Sequence, residues 1–223
     1  MFALVRGPLV WASLLVFILG TIFQVLRFFT LSRKAAIRHR VQAFPSEKKP
    51  EKGISLRAVG NLFQSFWNTV LGVYPVTIAV TTIFHVCLIF VPLFLLGHNE
   101  LLDLSLGVSL PSMPEQVSDV LSIVLLACCA FFLCRRIFVS RVRAITSFYD
   151  YLVLVLAAVP FLSGFLGYHQ IFDYRTVMLV HMLSGELLLI AIPFTKLTHM
   201  VFFFLSRIMI INEHTLGKGS RAW

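Results

Sequence analysis

The chain has 223 residues, of which 58% are hydrophobic and only 13% charged, with a formal net charge of +9. A soluble domain carries about 25% charged residues and could not bury several long apolar runs, so the composition excludes an ordinary soluble protein. The positive charge does not argue for nucleic acid, because the basic residues fall between the apolar runs, where a membrane protein carries its topology signal.

Read in order, the first span is expected at about Leu9–Phe29. Its apolar run is longer than a secretory signal core, no small-residue cleavage site follows, and Arg33, Lys34, Arg38 and Arg40 act as a stop-transfer cluster. The polar stretch Ser32–Phe66 reads as a cytoplasmic loop, with Pro45, Ser46, Pro50 and Gly53 as turn residues. At its end Leu56, Val59, Leu62, Phe63 and Phe66 recur at helical spacing, as in an interfacial helix that anchors the loop or docks a partner. A second span follows at Val70–Leu96, a third at Val120–Phe138, a fourth at Phe148–Tyr168 and a fifth at Val177–Leu205. Each is long enough for the ~30 Å core of a bilayer. The expected fold is an all-α integral membrane protein, one compact five-helix bundle over the whole chain.

Loop charge sets direction. Gly97–Asp119 holds no Lys or Arg, and the loop after span four holds only Arg175, whereas Arg135, Arg136, Arg141 and Arg143 follow span three. The positive-inside rule puts the amino terminus outside and the carboxyl terminus, with Arg207, Lys218 and Arg221, in the cytoplasm. Cys87, Cys128, Cys129 and Cys134 sit in apolar segments without a C-x-x-C spacing, so they read as small apolar fillers rather than metal or covalent haem sites. Phosphate loops, H-E-x-x-H and nucleophile elbows are absent.

The histidines carry the chemistry. His181 and His199 are eighteen residues apart in the last apolar stretch. On an unbroken helix, about 100° per residue returns both rings to one face, ~27 Å apart along the axis. His85 and His98 lie in or after the second stretch. Ionisable groups in hydrocarbon mark function by default, and two helices that each offer one imidazole near each surface suit a protein holding two b haems. The thirteen-residue spacing of His85 and His98 places them ~140° apart on an ideal helix, which a kink at Pro92 would relieve. Otherwise His98 is a loop residue and His169 is the alternative outer ligand. Gly164, Gly167 and Gly185 are expected to let a flat macrocycle approach the backbone. His39 and His214 read as solvated.

Three segments carry a resemblance. Cys134-Arg135-Arg136-Ile137-Phe138-Val139-Ser140-Arg141-Val142-Arg143-Ala144-Ile145-Thr146 resembles the cytoplasmic turn after the third helix of the respiratory nitrate reductase gamma subunit family. His181-Met182-Leu183-Ser184-Gly185-Glu186 and Ile192-Pro193-Phe194-Thr195-Lys196-Leu197-Thr198-His199-Met200 resemble the two ligand regions of that family's fifth helix. The resemblance implies two b haems, with His85 paired to His199 on the cytoplasmic side and His98 to His181 on the outer side. It also implies electron relay between a quinone pool and a cytoplasmic iron–sulfur subunit, by a subunit that is not a stand-alone enzyme.

Span two, with Phe84-His85-Val86-Cys87 and Gly97-His98-Asn99, departs from nitrate reductase gamma subunits in its wider histidine spacing. It is more similar to the b cytochromes of sulfate reducers' transmembrane complexes, as are Pro160–Gln170 and the Glu186 region. That likeness implies a heterodisulfide-reductase-like iron–sulfur partner instead of a nitrate-reductase-beta-like one, an outer multihaem cytochrome c, and a place in the bacterial cytoplasmic membrane, in anaerobic respiration. Glu186, with Tyr168, His169, Asp173 and Arg175 on the adjoining outer loop, is the candidate site for a quinone such as menaquinone and its protons. From a different class, Glu186 and the histidines would form the relay of a small proton or solute transporter. A passive anchor for a cytoplasmic complex would leave the histidines unexplained.

Overall fold

A computed structural model describes residues 4–42 and 74–206, with side chains for 4–32 and 74–206. The interfacial helix expected at Leu56–Phe66, most of the basic loop before it, and the ring environments of His39 and His214 lie outside these residues. Among the described residues the secondary structure is helical, without a strand. Five helices are long and apolar enough to cross a membrane: Val5–Ser32, Pro75–Phe94, Glu115–Phe138, Phe148–Tyr168 and Tyr174–Phe194.

A π-helical turn at Val5–Leu9, which contains Pro8, leads into α1, Val10–Gln42. Helix α2, Pro75–Phe94, starts on a proline whose missing N–H costs nothing in a first turn. It stops where Leu95 turns extended (φ −71°, ψ 129°), three residues after Pro92. The segment expected as an outer loop then forms α3, Leu96–Leu106, closed by Gly107 in the left-handed region at φ +67°. The Gly107 N–H donates to the Asp103 carbonyl at 2.8 Å, a glycine C-terminal cap.

Helix α4, Glu115–Phe138, begins five residues before the expected Val120, because its first turn is polar and hydropathy does not register it. A short helix α5, Ser140–Ile145, carries Arg141 and Arg143. Helix α6, Phe148–Tyr168, keeps the expected bounds, opened by a capping box in which the Ser147 N–H and hydroxyl both donate to Asp150 Oδ2 at 2.8 Å.

The last span is not one helix. Helix α7, Tyr174–Ala191, gives way to tight turns at Ile192–Phe194 and Lys196–Thr198, with Thr195 fully extended between them (φ −120°, ψ −175°). Helix resumes to Ser206. Pro193 cannot donate within a ladder, and Thr195 Oγ1 accepts from the Leu197 N–H at 3.2 Å, starting a new turn.

Contacts group the chain into two compact units, one of residues 53–181 and one of 1–52 with 182–223. In the first, α4 packs against both α2 and α6. Phe84, Cys87 and Val91 of α2, Leu125, Cys128 and Cys129 of α4, and Ala157 and Phe161 of α6 form its core. Three of the four cysteines are thus buried free thiols that fill space between helices, and Cys134 is exposed. In the second unit α1 packs on the break at Ile192–Phe194.

Outside these cores the spans expose Leu, Ile, Val and Phe, from Leu15 and Phe23 in α1 to Leu187 in α7. Apolar surface that continuous is stable only against lipid.

Candidate functional site

His98 and His181 meet in the unit of residues 53–181. His98 stands in the first turn of α3, not on an extension of α2, so the ~140° misfit of an ideal helix does not arise. The extended Leu95 re-aims the chain, and His98 Nδ1 lies 2.9 Å from the carbonyl of Pro92. His181, on α7, has its Nδ1 2.8 Å from the carbonyl of Pro160 on α6. The two imidazoles face each other with centroids 5.9 Å apart and planes 22° from parallel. A carbonyl only accepts, so Nδ1 carries a proton in both rings.

Gly164 makes room for this arrangement. A Cβ there would stand 3.0 Å from His181 Cε1 and 3.2 Å from its Nδ1. Gly164 admits the His181 ring, a Cβ on Gly167 would meet Met178 Sδ at 3.1 Å, and Gly185 faces open space.

His85 Nδ1 lies 2.7 Å from the Thr81 carbonyl one turn back, and Phe84 packs edge-on to its ring at 5.2 Å. His199 Nδ1 lies 2.7 Å from the Lys196 carbonyl, and its residue is exposed. All four candidate ligands thus hold Nδ1 on a backbone carbonyl, the second contact that a metal-binding imidazole commonly makes. His85 belongs to the unit 53–181 and His199 to the other. The equal-face argument for His181 and His199 does not survive, because the helix between them is interrupted at Pro193–Thr195.

His169 is engaged elsewhere. Its Nε2 lies 2.9 Å from Asp119 Oδ1, its ring packs 4.4 Å from Phe165, and the neighbouring Tyr168 hydroxyl donates to Glu115 Oε2 at 3.1 Å. The end of α6 is thereby tied to two acidic residues one turn apart on α4. Asp173 caps α7, accepting from the Thr176 N–H at 2.9 Å and its hydroxyl at 2.6 Å. Those two bonds hold its carboxyl below the usual carboxylate range. Arg175 is exposed beside it. The polar cluster therefore resolves into an α6–α4 tie and a helix cap.

Glu186 is 5% exposed, and neither carboxylate oxygen has a hydrogen-bond partner among the described residues. A buried carboxyl is costly to ionise unless hydrogen-bond donors surround it. A cavity of about 540 Å³ in the other unit is lined by Gln24, Arg27, Phe28, Leu31, Ser32 and Phe202, none of them an expected site residue.

Two neutral imidazoles at this separation can stack offset, as aromatic rings do at 4.5–7 Å. Two imidazoles this close could also serve one metal as a pair of ligands. No group of three or more His, Cys, Asp or Glu side chains could hold a metal among the described residues.

A missed sequence signal marks both re-aimed histidines. Pro92 precedes His98 by six residues, Pro193 precedes His199 by six, and an extended residue lies between proline and histidine each time.

Fold and composition define the class as a multi-pass helical membrane protein. The chain is 36% identical over 225 residues to a protein of Nitratidesulfovibrio vulgaris (strain Hildenborough) described only as "Protein", covering 98% of this chain and 96% of that one. It belongs to the same family as that protein. No family model matches the chain, and no solved structure matches it.

Proposed function

We propose that the chain is the membrane cytochrome b subunit of a respiratory oxidoreductase complex, with two b haems held by His98 with His181 and by His85 with His199. The observation that carries this reading is the His98–His181 pair, 5.9 Å between centroids, with each Nδ1 on a proline carbonyl. Haem would supply a reversible one-electron centre, low-spin and six-coordinate under two imidazoles. The protein's own part is orientation. Pro92 and Pro160 fix the ring tautomers, Gly164 sets the approach of His181, and burial against α6 limits water. In this reading the amino terminus lies outside and the arginine turn faces the cytoplasm of a bacterial cell.

An iron–sulfur subunit, heterodisulfide-reductase-like or nitrate-reductase-beta-like, docks on Arg135, Arg136, Arg141 and Arg143. Outside, Glu100, Asp103 and Glu115 offer a surface for the lysines of a multihaem cytochrome c. Glu186 is the group retained for quinone protons; Tyr168, His169 and Asp173 have structural partners that account for them. The runner-up within the class is the gamma subunit of a nitrate reductase, oxidising quinol.

Glu186, without a hydrogen-bond partner among the described residues, favours a second reading of another class, a proton or solute transporter. One experiment separates them: the visible spectrum and haem content of the purified chain. Two b haems per chain are expected, and a haem-free, folded chain overturns the cytochrome reading in favour of the transporter.

A further inference from the structure

The break in the last span leaves backbone groups that a continuous helix would have paired. The carbonyls of Ile192, Pro193 and Thr195 find replacements. Thr198 Oγ1 donates to the Ile192 carbonyl at 2.9 Å and to the Thr195 carbonyl at 2.7 Å. The Pro193 carbonyl accepts from outside the segment, from Gln24 Nε2 of α1 at 2.7 Å. One turn earlier on the same face of α1, Gly20 receives the Pro193 ring. A Cβ at Gly20 would stand 2.8 Å from Pro193 Cβ and Cγ and 3.2 Å from Phe194 Cζ, so no larger residue fits without movement. One turn later Phe28 stacks on Phe202, centroids 5.3 Å apart and planes 24° from parallel.

Gly20, Gln24 and Phe28 recur every four residues and so form one stripe along α1. The stripe grips the last segment on both sides of His199: at Pro193, six residues before it, and at Phe202, three residues after. Between those grips His199 Nδ1 is held by the Lys196 carbonyl inside the tight turn that the break creates. A backbone carbonyl is a weak anchor unless its own segment is fixed, and here the fixing comes from α1.

We propose that α1 is the positioning element of the His199 site, with Gly20 and Gln24 clasping the helix break so that the His199 ring is presented in one orientation. The proposal rests on the cytochrome reading for what His199 binds, but the clasp itself is a property of the chain. Gln24 touches no reacting group and acts through Pro193 and the turn that follows.

The test uses the full-length chain in detergent with its haem loaded, comparing Gln24→Leu, Gly20→Val and Phe28→Ala with the parent. Low-spin resonance signals and midpoint potentials are read for each haem, and backbone hydrogen exchange is read across residues 192–199 in the same samples. Gln24→Leu keeps the bulk and removes the donor. It is expected to speed exchange in the break and to displace the signal of the His199-dependent haem, with about tenfold weaker retention, the low end of outer-shell effects. The His181-dependent haem is expected to stay unchanged. Unchanged exchange in all three variants overturns the clasp. Faster exchange with both haems perturbed alike, or with neither perturbed, overturns its role as a positioning element. A parent chain without haem overturns the cytochrome reading alone, and faster exchange in Gln24→Leu then still upholds the clasp.

Discussion

The His98–His181 pair and the His199 segment solve the same problem by different means. At His98 and His181 two proline carbonyls of the same contiguous unit receive the Nδ1 protons. At His199 the ring Nδ1 lies on a carbonyl of its own turn, and that turn is gripped by a helix far away in sequence. The lesson is that a helical wheel is trustworthy only while the helix is unbroken. His98 lies off the wheel of α2 and His199 off the wheel of α7, each after a proline and an extended residue.

The sharpest way to break the comparison is to remove ligands. His181→Ala and His98→Ala should each abolish one low-spin haem signal and leave the other, while His169→Ala, tied to Asp119, should leave both. Resonance spectra check this; loss of the signal in His169→Ala in place of His98→Ala would reassign the outer ligand. His199→Ala and His85→Ala should remove the complementary signal, and an effect on the wrong haem would sink the inner pairing.

A smaller effect is expected from crowding. Gly164→Val pushes a side chain into the His181 ring, so it should shift the outer haem's potential and spectrum with the inner haem unmoved. An unchanged outer spectrum would mean that the ring is not seated against α6.

Smaller still on the spectra, Glu186→Gln should leave both haems intact yet slow their reduction by quinol. A positioned proton-transfer group contributes about 10²-fold or more, so rapid-mixing kinetics should resolve the loss. Unimpaired reduction would move electron entry elsewhere.

The smallest effect concerns Asp173. Its carboxyl is depressed by the Thr176 hydroxyl and N–H, so its cap on α7 is fully present above the ordinary carboxylate value of about 3.9. The cap is lost only as pH falls through the depressed folded value. Amide exchange in the first turn of α7 should be insensitive to pH-linked cap loss in Asp173→Ala and should rise below that value in the parent. Equal acid sensitivity in both would remove the cap from the account.

Much of the fold was legible because hydropathy reports burial in lipid directly. The bounds of α6, Phe148–Tyr168, can be read from composition and its Ser147 cap. What resisted reading was polar or local. Glu115 and Asp119 open α4 yet look like loop residues, since an acidic first turn carries no apolar signal. Asn99, buried and donating to Ser112 at 3.1 Å, gives no hint in the string that α3 is a helix of its own. The break at Pro193–Thr195 hides inside an apolar run, where proline alone does not tell a kink from an interruption. Of the candidate site, the meeting of His98 with His181 was expected from the sequence, but their Nδ1 contacts were not legible, because these depend on the Pro92 and Pro160 carbonyls that folding brings to them.

The clasp between α1 and the break has a consequence for how the chain is made. Gln24 and Pro193 are separated by 169 positions, so at about 5–20 residues per second α1 emerges roughly 10–30 s before its partner exists. The unit of residues 53–181 is contiguous and complete within that interval. Assembly therefore runs from the middle outward: the core of α2, α4 and α6 can close while translation continues, and the grip on His199 is the last joint to be made. A chain released early, before position 193, would insert and pack its core yet never form that joint.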